Sequence, residues 1–198
     1  MTASSRTHHR PVTSISRRRL LVAGGSTLGV AVLAVQAGRW PEASASPNSQ
    51  VLIVPFSSAG VPGRPGQVER IVRTDEEWRA RLSPEAYEIT RRAGTERAYT
   101  GELLNVHSAG IYRCICCDTA LFSSGAKFDS GTGWPSFYQP IARENVREQP
   151  DHSLLMERTA VACARCEAHL GHVFDDGPRP TGLRYCMNSV ALHFVPLT

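Results

Sequence analysis

Two C-x-x-C pairs constrain the fold more than any other feature of this 198-residue sequence. Cys114 and Cys117 form the first pair, Cys163 and Cys166 form the second, and 45 residues separate the pairs. A zinc ion takes four soft or borderline ligands in a tetrahedron, and two such pairs supply all four. This spacing is longer than that of a compact zinc ribbon. We therefore expect one structural Zn²⁺ to tie two distant hairpins of one domain together.

Other roles for the cysteines stay open at this point. Six cysteines in an exported protein could form disulfides. One pair could be a dithiol redox centre, although neither lies in the strand-to-helix setting of thioredoxin-like sites. The string "CARCEAHLGH" repeats a Cys or His every three residues and could bind one metal alone, which would leave the first pair without a role. Cys116, inside the first pair, is interpreted as a small side chain tolerated in a turn.

The first 45 residues have the pattern of an export signal. A basic stretch ends in "SISRRRLL", an apolar run extends from Leu20 to Ala37, and "WPEASASP" then provides a small-residue cleavage site. The adjacent Arg17, Arg18 and Arg19 resemble a twin-arginine signal. We expect export across a bacterial-type cytoplasmic membrane, to the periplasm or extracytoplasmic space. The alternative is an uncleaved membrane anchor, because the run is nearly long enough to span a bilayer.

Charge is concentrated in this leader. Residues 1–45 contain six arginines and one glutamate, whereas the remaining residues contain 16 basic and 17 acidic side chains. The mature chain is therefore close to neutral and lacks the basic excess that nucleic-acid binding needs. We expect no nucleic-acid partner and no stable membrane association after signal removal. The predicted organisation is a leader over 1–45, a Pro/Gly/Ser-rich linker over 46–66 and one domain over 67–198.

Local patterns predict two short helices followed by strands. "TDEEWRARL" has Thr74 and Glu77 in capping-box positions. "SPEAYEITRRAG" has Ser83 as a candidate cap, Pro84 at the first helical position and Gly94 after the last turn. Beyond about residue 95, short alternating segments are split by Gly, Pro, Asp and Asn, which is typical of antiparallel strands.

Cys186 has no cysteine partner nearby in the sequence. If "GLRYCMNSVALHFV" is a strand, Arg184, Cys186 and Asn188 share one face, because alternate side chains point the same way. A neighbouring guanidinium favours the thiolate, and an asparagine amide can hydrogen-bond a substrate oxygen. A solitary cysteine is often a buried structural thiol. Here the polar neighbours would be unsuited to an apolar core, so we interpret Cys186 as a functional thiol.

The strings "KFDSGTGWPSF", "AHLGHVFDDGP" and "TGLRYCMNS", with the two C-x-x-C pairs in order, resemble the B-type peptide-methionine sulfoxide reductases. "GTERAYTGEL" gives weaker support, and the resemblance runs from about Val72 to Phe194. It implies a mainly β fold of two antiparallel sheets, open and barrel-like, with short N-terminal helices and a structural zinc away from the active site. It also implies reduction of the R-epimer of methionine sulfoxide in oxidised proteins or peptides.

Carried onto this sequence, the resemblance makes Cys186 the nucleophile that attacks the sulfoxide sulfur. Trp134 would provide an apolar wall for the methyl group of the substrate, and Arg184 would support the thiolate. A flat indole ring suits a methyl or sulfonium-like centre. Without the resemblance, an isolated tryptophan is more often part of a core.

The resemblance also implies that His169, His172 and Asn188 protonate or hydrogen-bond the sulfoxide oxygen as it leaves. This oxygen is a poor leaving group unless it is protonated, and histidine ordinarily titrates in the useful pH range. Taken from the residues alone, a structural role for the two histidines is equally compatible with the sequence.

The reaction would leave Cys186 as a sulfenic acid, which must be returned to a thiol. Many members of the resembled family place a resolving cysteine inside "SG-x-GWPSF", where this sequence has Thr132. Cys116 is the remaining free thiol, but its predicted place beside the zinc makes it an uncertain substitute. We therefore expect reduction by an external thiol or a thioredoxin-like partner.

The alternative class is a zinc-stapled module that binds a protein or ligand without turnover. Only the enzyme requires Cys186, Arg184 and Asn188 together on one strand face.

Overall fold

The protein is described by a computed structural model that covers residues 49–152 and 157–198. The predicted leader over residues 1–45 lies outside the described residues. Within the described ranges, no helix combines the length and the apolar character needed to cross a bilayer.

Strands account for most of the regular structure in these ranges. They are β1 (Gln50–Ile53), β2 (Gly66–Glu69), β3 (Gly110–Cys114), β4 (Ala120–Ser123), β5 (Lys127–Phe128), β6 (Ser136–Phe137), β7 (Val146–Asp151), β8 (Arg158–Cys163), β9 (His169–Phe174), β10 (Arg184–Met187) and β11 (Leu192–Pro196). The helices are α1 (Asp75–Arg79) and α2 (Pro84–Arg92), with short 3₁₀ turns at Ser124–Ala126, Arg143–Asn145 and Ser189–Ala191.

Two antiparallel sheets carry the domain, and this part of the sequence prediction is confirmed. One has six strands in the order β5-β6-β10-β9-β8-β7, and the other has three in the order β11-β3-β4. Aromatic rings from both sheets pack together in the core. Phe122 of β4 stacks on Phe137 of β6 with ring centroids 4.5 Å apart. Tyr112 of β3 meets Phe137 edge-on at 4.9 Å.

The segment predicted as a linker contains paired structure. β1 and β2 form an antiparallel hairpin in which Val51 lies opposite Val68. The hairpin is tied to the domain by Asn145, which exchanges hydrogen bonds with the backbone of Val54 at 2.9 and 2.8 Å. The apolar segment "VLIVPF", recognised within the predicted linker, supplies β1, and Pro, Gly and Ser are concentrated in the loop that follows it.

Both predicted helix starts are confirmed. Thr74 and Glu77 form a reciprocal capping box at α1, and the Ser83 hydroxyl accepts a hydrogen bond from the Ala86 N–H at α2. Ala93 caps the C-terminal end of α2 in a left-handed conformation with φ 55°. Its buried side packs against β9 and the 3₁₀ turn after β10, so the helix supports the segment that carries Cys186.

Candidate active site and metal centre

The four paired cysteines meet where β3 and β8 end, and these strands belong to different sheets. Their sulfur atoms all lie within 4.8 Å of one another. The Cys114–Cys166 and Cys117–Cys163 sulfur distances are 3.6 and 3.5 Å. Zn–S bonds of about 2.3 Å place tetrahedral sulfurs about 3.8 Å apart. A disulfide needs about 2 Å. The donor set and its spacing therefore fit a four-thiolate Zn²⁺ site.

The two cysteine turns have the same backbone geometry. In each, the residue after the second cysteine takes a left-handed conformation, with φ 62° at Asp118 and 59° at Glu167. The N–H of Asp118 donates to the Cys114 carbonyl, and that of Glu167 donates to the Cys163 carbonyl, both at 2.9 Å. Each turn thus closes on its own first cysteine.

Cys116 and Cys186 occupy different surroundings. Cys116 is half-buried and lies outside the four-thiol group, close to Thr90 of α2. The groups that act on the Cys186 thiol are Thr132, Ser136 and Arg184. The interpretation of Cys116 as a turn residue therefore agrees with its place.

Cys186 lies on a polar face of the six-stranded sheet. Its Cα partners are Ser136 on β6 and His172 on β9. Residues directly opposite in antiparallel strands point to the same face. The intervening positions of β10, Tyr185 and Met187, are buried in the core. Alternation along β10 thus separates the functional face from the core face.

A chain of hydroxyl groups leads to the sulfur of Cys186. Ser130 Oγ lies 2.7 Å from Ser136 Oγ and 2.8 Å from Thr132 Oγ1, and Thr132 Oγ1 lies 3.8 Å from Cys186 Sγ. Burial raises the pKa of the half-buried Cys186 thiol, while Thr132, Arg184 and Ser136 act in the opposite direction without outweighing it. The resting group is therefore a neutral thiol at neutral pH.

Arg184 shares the Cys186 face, as predicted from the alternation. Its guanidinium makes two hydrogen bonds of 2.8 Å to the Asp176 carboxylate and lies over the Phe174 ring at 4.3 Å. It lowers the pKa of Cys186, but by less than burial raises it. Its principal ionic partner is thus Asp176, and it acts on Cys186 through its charge and a side-chain hydrogen bond.

The two histidines are neighbours, with ring centroids 5.3 Å apart. His169 is only 1% exposed, and burial lowers its pKa to about 3. Burial also lowers the pKa of His172, although its Nε2 lies 2.8 Å from Asp151 Oδ2. His169 therefore does not titrate in the ordinary histidine range, and the pKa of His172 lies below its usual value, because desolvation disfavours the imidazolium.

Asn188 does not continue the predicted strand. β10 ends at Met187, and Asn188 begins the 3₁₀ turn Ser189–Ala191. Its side-chain amide is buried, accepts a hydrogen bond from the Glu96 N–H at 3.0 Å and donates one to the Leu170 carbonyl at 3.0 Å. The proposed shared face of Arg184, Cys186 and Asn188 is therefore limited to the first two residues.

Trp134 is half-buried and lines a cavity of about 290 Å³. Its indole Nε1–H donates to the Glu96 carbonyl at 3.1 Å. Aromatic and apolar walls of the cavity come from Tyr99, Phe128 and Pro135, whereas Cys186 is not among its lining residues. The loop that carries Thr132 also lines this cavity, through Asp129 and Gly133.

Two acidic residues near the site were not singled out from the sequence. Asp151 binds His172 and also pairs with Arg158 at 2.8 Å. Glu96, within the string "GTERAYTGEL", is 5% exposed and bonded to both Asn188 and Trp134. The Asp151–His172 and Glu96–Asn188 contacts join residues that are far apart in the sequence, so local patterning gave no signal for them.

Comparison with known proteins places this geometry in context. The SelR domain family matches residues 82–196, which include all of the cysteines and histidines described above. The match begins just before α2, so the N-terminal hairpin and α1 lie outside it.

Similar proteins include a chloroplastic "peptide methionine sulfoxide reductase B1" of Oryza sativa subsp. japonica, 65% identical over 120 residues, covering 60% of this chain and 56% of the relative. Proteins named "peptide methionine sulfoxide reductase MsrB" are 60% identical over 124 residues in Thiobacillus denitrificans and 58% identical over 129 residues in Pseudomonas putida. These alignments cover 63% and 65% of this chain and 94% and 97% of the relatives. The chain spans less than two thirds of the plant relatives and nearly all of the bacterial ones.

Proposed function

We propose, from the premise that this chain belongs to the SelR-domain family of peptide methionine sulfoxide reductases, that it reduces methionine sulfoxide in proteins or peptides to methionine. The substrate is the R-epimer, and the reaction repairs oxidised proteins. The observation that carries this proposal is the position of Cys186. It lies on a polar sheet face opposite Ser136 and His172, apart from the four cysteines that fit a zinc ion.

In the first step the Cys186 sulfur attacks the sulfoxide sulfur, and the oxygen is transferred to Cys186. The S–O bond of the substrate breaks and a new S–O bond forms on cysteine, which becomes a sulfenic acid. The sulfoxide sulfur gains two electrons and Cys186 loses two. The thiol proton remains on the transferred oxygen as the hydroxyl hydrogen, so the step needs no other reactant.

His172 is the group best suited to move this proton. Its Nε2 faces the Asp151 carboxylate, which accepts a hydrogen bond. A neutral ring that donates from Nε2 carries no proton on Nδ1, which can therefore accept one. His172 would take the proton from the Cys186 thiol and return it to the sulfoxide oxygen. Buried His169, with its pKa of about 3, stays neutral at the pH of the reaction.

Trp134, Arg184 and Asn188 have supporting roles in this proposal. The Trp134 indole forms the apolar wall for the methyl group of the substrate. The Arg184 charge lowers the pKa of Cys186 and thus favours the attacking form. Asn188 contributes through its remaining amide hydrogen or by fixing the turn after Cys186, since its other amide groups are bonded to backbone.

The zinc would hold the two sheets together and take no part in the chemistry. Four thiolates fill its tetrahedral positions, which leaves none for a substrate. Cys114, Cys117, Cys163 and Cys166 would be its ligands.

Regeneration requires an external reductant. Thr132 occupies the place of a resolving cysteine, and Cys116 lies beside the zinc ligands. Two thiol equivalents from a thioredoxin-like or small-molecule donor would return the sulfenic acid to a thiol, with release of water and a donor disulfide. A thiol titration after one equivalent of sulfoxide tests this: loss of two protein thiols with an intact zinc site would exclude it.

We propose that a twin-arginine signal exports the chain to the periplasm or extracytoplasmic space. The alternative is that an uncleaved leader anchors it in the membrane. Such a route carries folded protein, so zinc would be loaded in the reducing cytoplasm. Fractionation of cells that express the wild-type chain or the paired Arg17→Lys and Arg18→Lys variant tests it. Equal distribution of both proteins would exclude this route.

The decisive test of the activity uses separated R and S epimers of N-acetyl-methionine sulfoxide with dithiothreitol. Wild type should reduce only the R-epimer, and Cys186→Ser should retain zinc and lose activity. Reduction by Cys186→Ser at the wild-type rate would exclude Cys186 as the nucleophile, and no turnover by wild type would favour the binding-module alternative.

A further inference from the structure

The carboxylate of Glu96 is buried against the turn that follows β10. Its Oε1 accepts the Ser189 N–H at 2.7 Å and its Oε2 accepts the Val190 N–H at 3.0 Å. Burial raises its pKa, and the two N–H groups oppose that effect. A buried carboxylate that bonds two backbone donors fixes their positions, because removal of one partner leaves the other unsatisfied.

The backbone of the same residue reaches two further parts of the site. Its N–H donates to Asn188 Oδ1 at 3.0 Å, and its carbonyl accepts the Trp134 indole N–H at 3.1 Å. Glu96 therefore contacts both the turn just after Cys186 and the side chain that lines the cavity.

Three residues further on, Tyr99 holds the loop before Trp134. The Tyr99 N–H donates to the Gly133 carbonyl at 2.8 Å, and its hydroxyl donates to the Gly131 carbonyl at 2.6 Å. A Cβ on Gly133, which has φ +92°, would lie 2.8 Å from the Tyr99 ring. These two bonds flank Thr132, which contacts Cys186 at 3.8 Å.

We propose that Glu96 is the principal positioning residue of the reaction. It acts together with Tyr99, and we call the segment Glu96–Tyr99 the brace. The brace fixes the Trp134 wall and the Thr132 loop on one side of Cys186 and the Asn188–Val190 turn on the other. This inference rests on the proposed function. It assigns Glu96 no contact with substrate and no proton transfer.

Glu96→Gln tests the proposal, since it keeps the size of the side chain but places an amide donor against one backbone N–H. With R-sulfoxide, kcat/KM should fall by roughly 10- to 100-fold, because misplacement by about 1 Å can cost that much. Zinc content should stay at the wild-type level. The rate of Cys186 alkylation by iodoacetamide, measured by mass spectrometry, should rise several-fold as the adjoining turn loosens.

Asn145→Ala is the matched control for loss of stability. The Asn145 side chain is fully buried and bonded to Val54 and Ala120, and the bond from the Ala164 N–H in the second cysteine turn goes to its backbone carbonyl, which the substitution keeps. This variant should lose thermal stability yet keep wild-type kcat/KM and alkylation. Unchanged kinetics and alkylation in Glu96→Gln, or equal losses in Asn145→Ala, would overturn the proposal.

If Glu96→Gln does not fold, a second variant, Glu96→Asp, still tests the proposal. Glu96→Asp keeps the charge, but it is one methylene shorter and cannot hold both N–H groups in place. It should show a smaller loss of kcat/KM, and wild-type kinetics there would overturn the proposal. If the wild-type protein reduces neither epimer, the proposed function is excluded. The alkylation rates of Cys186 in wild type and Glu96→Gln still test whether Glu96 positions the turn after Cys186.

Discussion

The hydroxyl of Thr132 lies 3.8 Å from the sulfur of Cys186. Thr132 takes the position at which many members of the family have a second, resolving cysteine. The loop thus brings residue 132 close to Cys186, and a threonine side chain there cannot form a disulfide. A hydroxyl at this position can instead hydrogen-bond the sulfur and lower its pKa.

Thr132→Cys should therefore change how oxidised Cys186 is regenerated, from direct reduction by an external donor to formation of an internal disulfide. Because a cysteine there would lie close to Cys186, one turnover should form an internal disulfide with loss of two thiols per chain. Wild type should lose one. Thiol titration and non-reducing peptide mapping after one equivalent of R-sulfoxide check this. Thr132→Ser keeps the hydroxyl and should behave as wild type, and a reduced Thr132→Cys product after turnover would contradict the expectation.

If Cys186 is the attacking thiol, its pKa governs how alkylation and activity change with pH. Burial raises it, so the thiolate forms only above the ordinary thiol value of about 8.5, and alkylation should keep rising through that pH. Arg184 lowers this pKa, so Arg184→Gln should move the alkylation midpoint to still higher pH. Arg147→Gln removes an exposed charge that pairs with Glu167 and serves as the control. A midpoint moved downward by Arg184→Gln would contradict this reading.

His169 should make the fold sensitive to acid. Its pKa is about 3 in the folded protein, against about 6.5 when unfolded, so the unfolded state binds a proton first as pH falls. The stability from neutral His169 is complete above pH 6.5 and decreases towards pH 3, by about 1.4 kcal/mol per pH unit.

His169→Gln should weaken this dependence. His172, Asp151 and Arg158 are the charged or titratable groups that act on His169 and remain in both proteins. Urea unfolding at pH 7.5 and 5.5, with zinc content measured at both, checks the difference. Equal pH slopes for variant and wild type would contradict the expectation.

Cys116 and Cys117 offer a matched pair for testing the metal centre. Cys117→Ser removes one of the four clustered thiols and should reduce the zinc content from one per chain towards zero, with Tm lowered by on the order of 10 °C. Cys116→Ser changes the adjacent residue outside the ligand set and should keep the zinc. Metal analysis and thermal unfolding of the purified variants decide between them, and equal zinc loss in both would reject the assignment.

The features predicted from the sequence were those encoded within a few residues. The caps at Thr74 and Ser83 depend on contacts three residues away, and both formed. The cysteine clustering was also predictable, because a shared metal preference imposes contact across any separation. Alternation placed Arg184 and Cys186 on one face for the same local reason.

The rest depended on contacts between distant parts of the chain. The strand was expected to pass through Asn188, but Glu96, 93 residues before Ser189, caps a turn there. The acidic pKa of His169 follows from burial, which no local string encodes. The hairpin of β1 and β2 forms against Asn145, far along the chain.

The shared geometry of the two cysteine turns joins strands from two different sheets at a single point. If zinc fills this site, its removal by a chelator would loosen the link between the two sheets at this point, while the packing of Tyr112 and Phe122 on Phe137 would still join them. An agent that oxidises those thiolates would have the same effect. The four-cysteine cluster would then be a second place, besides Cys186, at which an oxidant could act on this protein.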